Sequence, residues 1–267
     1  DDINEIIIID SSSKKINKKI LNNFKNYKNI KVIKSKPSTS KQRNIGIKKF
    51  NKKNKFLMFC DDDIIFRKNS IFNMNIFIKK NSNNVGYGFN LIKKETTGFL
   101  EKVKKSNFFT NNGFYDTKSG IVCENGWHTK LINAKKDHST MWLSTQACIY
   151  KTKFIKNISF DENLGEYSYL EDLFFSYKLS KKGILSISRN SKYTHPNEIE
   201  RKNLYFGIKE VVNRHKFVKK NNLNLFKFYI TIILKLFFNL FKIFSLNLNF
   251  VPKFIGNIFG LVICIIK

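Results

Sequence analysis

Three consecutive carboxylates, Asp61, Asp62 and Asp63, directly follow an apolar run of strand length at residues 56–60. Aspartate is disfavoured within strands, so we expect the chain to leave its sheet at Asp61, where open α/β sheets bind ligands. Carboxylates this close repel one another unless a proton or a cation lies among them. The pattern therefore predicts a site for Mg2+ or Mn2+. The competing interpretation is a solvated turn whose aspartate caps the next helix.

A second acidic pair, Glu171 and Asp172, opens a segment at 171–179 that has the pattern of a helix and is closed by Gly183. Carboxylates in the first turn of a helix interact favourably with its dipole, so the pair also has a purely structural explanation. His195 precedes a proline in a predicted loop. Imidazole is a tolerable ligand for Mn2+, although a lone histidine before proline is more often only a loop residue.

Alternating elements must position these groups. The first sixty residues read as strand, helix, strand, helix, strand, which predicts a parallel α/β sheet. Four consecutive isoleucines favour a first strand that is covered on both faces. The predicted strands lie at 5–10, 30–33, 56–60, 85–92, 145–150 and 184–187, and the predicted helices at 14–27, 44–50, 69–79, 151–156 and 171–179. Residues 38–43 are expected to form a polar loop, and residues 95–140 loops and short strands over one edge of the site.

The chain has 267 residues and a formal net charge of +29 at pH 7. Such a charge suggests nucleic acid or an anionic membrane surface as a partner. The lysines are spread over the whole chain and no zinc-finger spacing or RNA-binding aromatic motif is present, so we discount nucleic acid and retain acidic lipid or a diphosphate. The four cysteines form no CxxC pair, which favours free buried thiols in a reducing compartment, and no signal peptide is recognisable.

The sequence becomes strongly apolar from about residue 223, and we divide the chain into a domain at 1–217 and a segment at 218–267. An apolar helix is predicted after residue 223, and its few polar residues fall on one narrow stripe. The stripe consists of Lys227, Thr231, Lys235, Asn239 and Lys242. A second apolar segment at 254–266 is too short to span a membrane comfortably. We predict that these helices lie in the membrane interface, with a buried core hairpin or the interface of a homo-oligomer as alternatives.

Four motifs taken together resemble the inverting glycosyltransferases of family 2, which have the GT-A fold. The motifs are the strand ending at Asp10 and followed by serines, Arg43-Asn44-Ile45-Gly46, Phe59-Cys60-Asp61-Asp62-Asp63, and Phe160-Asp161-Glu162 placed ahead of Glu171-Asp172. Each motif is weak alone, but their order and spacing make a strong signal over residues 3–217. The resemblance implies a mostly parallel central sheet with flanking helices, followed here by C-terminal amphipathic helices.

The resemblance also implies a reaction, the metal-dependent transfer of a sugar from a nucleotide-diphosphate sugar to a hydroxyl with inversion. Asp63 and His195 would ligate Mn2+ or Mg2+, and Asp61 would contact the ribose or a metal-bound water. Asp10 would accept a hydrogen bond from the nucleobase. Without the resemblance, Asp10 is a turn-forming residue and Arg43 a surface charge. The residues assigned to the nucleotide sugar are Asp10, Arg43, Asn44, Asp61, Asp62 and Glu171.

Asp172 would be the base that takes the proton from the acceptor hydroxyl. The implied acceptor is a saccharide or glycolipid in cell-surface polysaccharide assembly, and the protein would be peripheral on the cytoplasmic face of the membrane. The sequence departs from the family in two places. The first strand, with its Pro-Thr-Tyr-Asn type of ending, is absent, so we expect an N-terminally incomplete chain. The turn after Asp10 carries serine where the family often has a second Asp and a Gly.

Two other functions compete with this interpretation. A phosphatase of the haloacid dehalogenase type also places Asp-x-Asp after an apolar strand, here Asp61 and Asp63. It would want Thr or Val where Ile64 stands, and it usually has no strand ahead of the motif. A basic protein that only coats anionic membrane would leave the acidic clusters and the motif at 43–46 unexplained. Binding of a sugar nucleotide separates the enzyme from the coat protein.

Overall fold

The computed structural model of the chain describes residues 3–94, 99–195 and 201–266. These residues form a six-stranded mixed sheet, a separate two-stranded sheet and ten α-helices. The strands are β1 (Ile6–Asp10), β2 (Ile30–Lys34), β3 (Phe56–Cys60), β4 (Ile65–Phe66), β5 (Gly86–Leu91), β6 (His138–Thr140), β7 (Ala147–Lys151) and β8 (Leu185–Thr194). The helices are α1 (Lys14–Phe24), α2 (Thr39–Lys49), α3 (Ser70–Lys80), α4 (Phe99–Lys104), α5 (Asn107–Asn111), α6 (Thr152–Ile155), α7 (Glu171–Ser180), α8 (Leu204–Lys220), α9 (Leu225–Phe244) and α10 (Val251–Ile266).

Strand direction differs from the mostly parallel sheet that was predicted, although the α/β class is confirmed. Within the described ranges, only the pairs β1–β2 and β5–β8 are parallel. Strand β7 runs antiparallel to β3 and β5, and both β4 and β6 run antiparallel to β8. A buried apolar strand has the same pattern in either direction, and the long connection between β5 and β7 lets the chain return from either end.

Strand β1 is parallel to β2, as predicted, but it is less buried than its four isoleucines suggested. Ile6 is exposed and Ile7 to Ile9 are half-buried. The reason is that β1 has a strand neighbour on one side only among the described residues, and β3 is likewise at the edge of the larger sheet. Helix α2 lies against β1, where Gln42 Nε2 donates a hydrogen bond to the Ile9 carbonyl at 2.8 Å.

Helix α2 begins at Thr39, within the stretch predicted to be a polar loop, rather than at residue 44. Ser38 is its N-cap and accepts a hydrogen bond from the Lys41 amide at 3.3 Å. A serine cap satisfies an amide that the first turn leaves free, so the polar residues after it can be helical. Helices α8 and α9 begin in the same way after Asn203 and Asn224.

Strand β8 is much longer than the predicted strand at 184–187. Its second half is polar at residues 189–192, which gives this part a low strand propensity. It nevertheless pairs with β4 and with the end of β5, where the register shifts between Phe89 and Asn90. The extension carries the chain to His195. Between 95 and 140, the structure has the short helices α4 and α5 and the strand β6 where loops and short strands were expected; residues 95–98 lie outside the described ranges.

An aromatic cluster joins the end of β3 to the start of α7. Phe160 and Phe175 stack with ring centroids 4.0 Å apart, and Phe59 meets both rings edge-on. All three rings are buried. Aromatic pairs contribute about 0.5–1.5 kcal/mol beyond the area they bury. Because Phe59 lies two residues before Asp61 and Phe175 lies one turn after Asp172, the cluster holds the two acidic segments next to each other.

The C-terminal helices α8, α9 and α10 pack together, and α10 meets α8 backbone to backbone. A Cβ atom added to Gly256 would lie 2.2 Å from the Leu204 carbonyl oxygen, and one added to Gly207 would lie 2.5 Å from the Lys253 oxygen. The domain boundary predicted at residue 217 falls inside α8. By length and composition, one helical stretch among the described residues, Leu248–Ile266, could cross a membrane.

Candidate active site

The ends of β3 and β8 bring Asp61, Asp63 and His195 together. One ligand atom from each of the three lies within 4.8 Å of the others, and His195 Nε2 is 3.1 Å from Asp63 Oδ1. The three side chains are partly exposed, so a cation can reach them from solvent. Two carboxylates and an imidazole are a donor set that suits Mn2+, and the carboxylates suit Mg2+ as well. The residues therefore fit a divalent cation.

Arg43 of α2 connects this cluster to the second acidic pair. Its Nη2 atom is 3.1 Å from Asp61 Oδ1, and its Nη1 atom donates a hydrogen bond to Glu171 Oε1. The Phe160 ring lies 5.7 Å from the guanidinium carbon. The planar fork of arginine can pair with two carboxylates at once, which the point charge of a lysine does less well. One cation thus faces two carboxylates, and the site keeps an excess of negative charge.

Glu171 and Asp172 open α7 beside Arg43. Burial raises the pKa of both carboxyls; repulsion by Asp172 adds to the rise at Glu171, and Arg43 opposes it at both. Asp172 Oδ1 accepts a hydrogen bond from the Leu173 amide at 2.7 Å, which orients the carboxylate at the helix start. A raised pKa means that the carboxylate binds a proton more readily, which suits it to accept a proton from a substrate.

Two residues predicted to bind the nucleotide sugar lie outside this group. Asp62 is exposed and is not among the three clustered ligands. Asn44 is buried, and its amide is used within the protein. It exchanges hydrogen bonds of 3.0 and 2.8 Å with the backbone of Phe160 and donates one of 2.8 Å to Glu162. Asn44 therefore holds the segment before α7.

Asp10 lies at the end of β1, where its carboxylate organises the following turn. It accepts hydrogen bonds from the Ser12 amide at 2.9 Å and from Asn17 Nδ2 at 2.6 Å, and Lys34 Nζ lies 3.7 Å away. Burial alone would raise the pKa of Asp10, but these partners lower it. The turn-forming interpretation is thus the one its contacts support. Its link to Arg43 runs through α2, whose Gln42 binds the β1 backbone.

Sequence reasoning missed two residues that support the cluster. The Asp61 amide donates a hydrogen bond to the Gln146 carbonyl at 3.0 Å, and the Tyr193 hydroxyl donates one to Gln146 Oε1 at 3.1 Å. Gln146 therefore ties the Asp61 turn to β8 beside His195. A glutamine directly before a largely apolar strand was the available signal, since a half-buried side-chain amide still needs partners. Arg201 was also missed; its charge opposes the rise in the pKa of Asp172.

Comparison with protein families gives a match over residues 1–158 to the model of glycosyl transferase family 2. That stretch is more than half of the chain and contains β1 to β7, including Asp10, Arg43 and the Asp61–Asp63 turn. The resemblance drawn from the motifs is therefore confirmed. A search of curated proteins found no match.

Two crystal structures share the fold. One is that of S. aureus TarS residues 1–349, which is 16% identical, covers 84% of this chain and 61% of that chain, and has a TM-score of 0.50. The other is GalNAc-T7 with UDP, GalNAc and Mn2+, which is 14% identical, covers 86% of this chain and 50% of that chain, and has a TM-score of 0.55. The chain thus spans between half and about three-fifths of these proteins. At these identities the likeness concerns the fold, which is of the GT-A type.

Proposed function

The chain belongs to glycosyl transferase family 2, and from that membership we propose that it transfers a sugar from a nucleotide-diphosphate sugar to a hydroxyl, with inversion at the anomeric carbon. The observation that carries the proposal is the arrangement of two acidic groups around Arg43, a cation-binding cluster on one side and a buried carboxylate pair on the other. Transfer from a diphosphate donor needs both a counter-charge for the leaving group and a base for the acceptor.

Asp61, Asp63 and His195 would hold the divalent cation, Mn2+ or Mg2+. Bound there, the cation would supply positive charge to the oxygens of the leaving diphosphate. The solved structure of GalNAc-T7 with UDP and Mn2+ supports a nucleotide donor and this kind of cation, and it leaves the choice between the two metals to experiment. Arg43 would fix the orientation of Asp61 from the opposite side.

Asp172 would be the base. The acceptor hydroxyl oxygen forms a bond to the anomeric carbon, the bond from that carbon to the diphosphate oxygen breaks, and the hydroxyl proton passes to the Asp172 carboxylate. Glu171 is less available for this role because it is paired with Arg43, whereas Asp172 is held by a backbone amide. A single displacement without an enzyme nucleophile gives inversion.

We extend the proposal to the acceptor, which would be a saccharide or a lipid-linked saccharide of the cell surface. The family match argues against a phosphatase of the haloacid dehalogenase type. A protein that only coats membranes would not explain why Arg43 pairs with two carboxylates.

The test is titration of the purified chain with UDP-glucose, UDP-GlcNAc, GDP-mannose and dTDP-rhamnose, with and without Mn2+, by calorimetry. We expect cation-dependent binding of one donor that is lost in Asp63→Asn and kept in the matched control Asp62→Asn, whose side chain is exposed next to the cluster. Asp172→Asn should bind the donor and fail to transfer the sugar. Donor binding that does not depend on the cation, or an equal loss of donor binding in Asp63→Asn and Asp62→Asn, would contradict the assignment.

A further inference from the structure

The C-terminal helices expose an unusual amount of apolar surface. On α9, the outward side chains of Phe226, Phe237, Phe241 and Phe244 are 74%, 65%, 64% and 77% exposed. The adjoining loop adds Leu246 at 90%. The outer side of α10 is apolar as well, with exposed side chains at Phe259, Ile265 and Ile266. Together these residues are called the apolar face. Exposed apolar surface of this extent usually marks an interaction site.

The polar stripe of α9 is turned inward, which fixes the rotation of the helix. Lys227 Nζ lies 2.6 Å from Glu124, and Thr231 accepts a hydrogen bond of 2.9 Å from Asn125. Further along, Lys235 pairs with buried Glu210, and Asn239 donates a hydrogen bond of 2.9 Å to Asn257 of α10. Turning α9 to hide its phenylalanines would leave these polar groups without partners, at a substantial cost. The outward position of the apolar face is therefore built into the packing.

Four cations lie at one end of the apolar face and are called the basic rim. Lys202 Nζ and Lys242 Nζ lie 5.6 and 4.4 Å from the centre of the Phe250 ring. The guanidinium carbon of Arg201 and Lys253 Nζ lie 5.7 and 5.0 Å from the centre of the Phe206 ring. The backbone starts of α8 and α10 are in contact here, so two positive helix N-termini are added to the same region.

Among the described residues, Lys253 of the basic rim has the buried carboxylate of Glu210 as its partner, and a second lysine also uses that carboxylate. Glu210 is shared, because its Oε2 lies 3.3 Å from Lys253 while its Oε1 accepts from Lys235. Burial lowers the pKa of Lys242, and repulsion by Lys253, Lys104 and Lys202 adds to the effect. Anions placed among these cations would relieve that repulsion.

We infer that the apolar face and the basic rim together form a docking surface for a bilayer that contains anionic lipids. The phenylalanines and leucines would enter the boundary between headgroups and acyl chains, and the rim would meet the lipid phosphates. Charge argues against a second copy of the chain as the occupant. A symmetric dimer through this face would bring two basic rims and two chains of net charge +29 together.

Helix α8 links this surface to the candidate active site. Asn213 Nδ2 donates a hydrogen bond to the Tyr169 carbonyl at 3.0 Å, and Arg214 donates one to the Tyr169 hydroxyl at 3.1 Å. Tyr169 lies two residues before Glu171, so the docked helices and the acidic pair are held by one element. Docking does not depend on the proposed transfer reaction, and its test needs no donor or acceptor.

The test is flotation of the full chain with vesicles of phosphatidylcholine alone or mixed with phosphatidylglycerol. We expect binding to the anionic vesicles that weakens as salt is added. The double variant Phe241→Glu/Phe244→Glu should lose binding at least tenfold, whereas the control Phe72→Glu, equally exposed on α3, should keep it. Lys202→Gln and Lys242→Gln should each weaken binding about fivefold, since one lysine near an anionic surface contributes about 1 kcal/mol.

Each variant's thermal unfolding is measured in parallel, so that a misfolded protein is not scored. Equal binding to neutral and anionic vesicles would overturn the role of the basic rim. An equal loss of binding in Phe72→Glu would overturn the role of the apolar face. Absence of vesicle binding, together with a dimer by light scattering that Phe241→Glu/Phe244→Glu abolishes, would assign the surface to self-association and overturn the inference.

Discussion

Two charged clusters in this protein have opposite imbalances. At the end of β3, the guanidinium of Arg43 faces both Asp61 and Glu171. Among the C-terminal helices, the carboxylate of Glu210 faces both Lys235 and Lys253. A charge that is removed from water and only partly neutralised is unfavourable, so each cluster favours a counter-ion of the missing sign. The first cluster thus suits a metal cation, and the second lies beside the surface that we propose for docking to anionic lipid.

The pKa values in the two clusters reflect the same difference in charge balance. Burial raises the pKa of Asp172, and the single arginine only opposes it. Burial alone would raise the pKa of Glu210, but Lys235 and Lys253 lower it to about 2. Burial lowers the pKa of Lys235 to about 8, with Glu210 opposing and Lys253 adding. The local balance of charge, rather than the overall charge of +29, is therefore what we use to propose a partner for each region.

The largest effect is expected at the acidic cluster. Asp172→Asn removes the proposed base and should lower kcat/KM for sugar transfer about 10²–10⁴-fold, as general bases typically contribute. Donor affinity should change little, because Asp172 lies outside the cation ligands. Transfer assays and calorimetry on the same preparation measure both. Glu166→Gln, an exposed acid a few residues away, is the control; a parallel loss of binding and transfer would mean that Asp172 holds the donor.

At the basic cluster, Glu210→Gln should lower the free energy of unfolding by about 3 kcal/mol near pH 7, because two lysines lose their buried partner. The folded pKa of Glu210 is below its unfolded value near 4.5, so its stabilisation is full above that pH and is lost as pH falls towards 2. The free energies of unfolding of the two proteins, measured with urea, should therefore become equal as the pH is lowered. Glu124→Gln, which removes an exposed partner of Lys227, should cost at most about 1 kcal/mol. A constant difference across pH would show that Glu210 acts through packing.

The backbone contact that fixes the basic cluster gives a third test. Gly256→Ala places a Cβ against the Leu204 carbonyl and should destabilise the protein by about 1–3 kcal/mol. Gly46→Ala is the matched control, since an added Cβ on this residue of α2 meets nothing within 4 Å, and the change should be neutral or stabilising. Thermal unfolding compares the two. If both variants behave alike, α8 and α10 are less closely packed than their backbones indicate.

The smallest effect is expected on the pH profile of transfer. A base must be deprotonated, so the rate should fall as pH drops through the raised pKa of the Glu171–Asp172 pair. Glu171→Gln removes the neighbouring negative charge and leaves Arg43 free to favour the Asp172 carboxylate. The acid limb of kcat/KM should therefore shift to lower pH by about one unit, which corresponds to about 1.4 kcal/mol. An unmoved limb would show that Asp172 titrates independently of its neighbour.

The acidic cluster was largely readable from local sequence. An apolar run followed by Asp61 and Asp63 marks the end of a strand, since carboxylates are disfavoured inside one. Glu171 and Asp172 mark the start of a helix for a similarly local reason. The nucleotide-sugar roles of Asp62 and Asn44 were implied by the family resemblance rather than by such local patterns, and they stay predictions. Asp62 is exposed, and the side-chain amide of Asn44 donates hydrogen bonds to the segment at 160–162, more than a hundred residues away.

The local sequence encoded the spacing of apolar residues in each helix and strand, and the type of side chain at the ends of these elements. The folded chain alone settled which groups meet. Arg43 pairs with a carboxylate 128 residues away, and no spacing rule predicts that. The polar stripe of α9 was visible as a stripe, but a helical period does not say whether it faces water or protein. Its partners Glu210, Asn125 and Asn257 lie on other elements, and their hydrogen bonds turned the stripe inward and the phenylalanines outward.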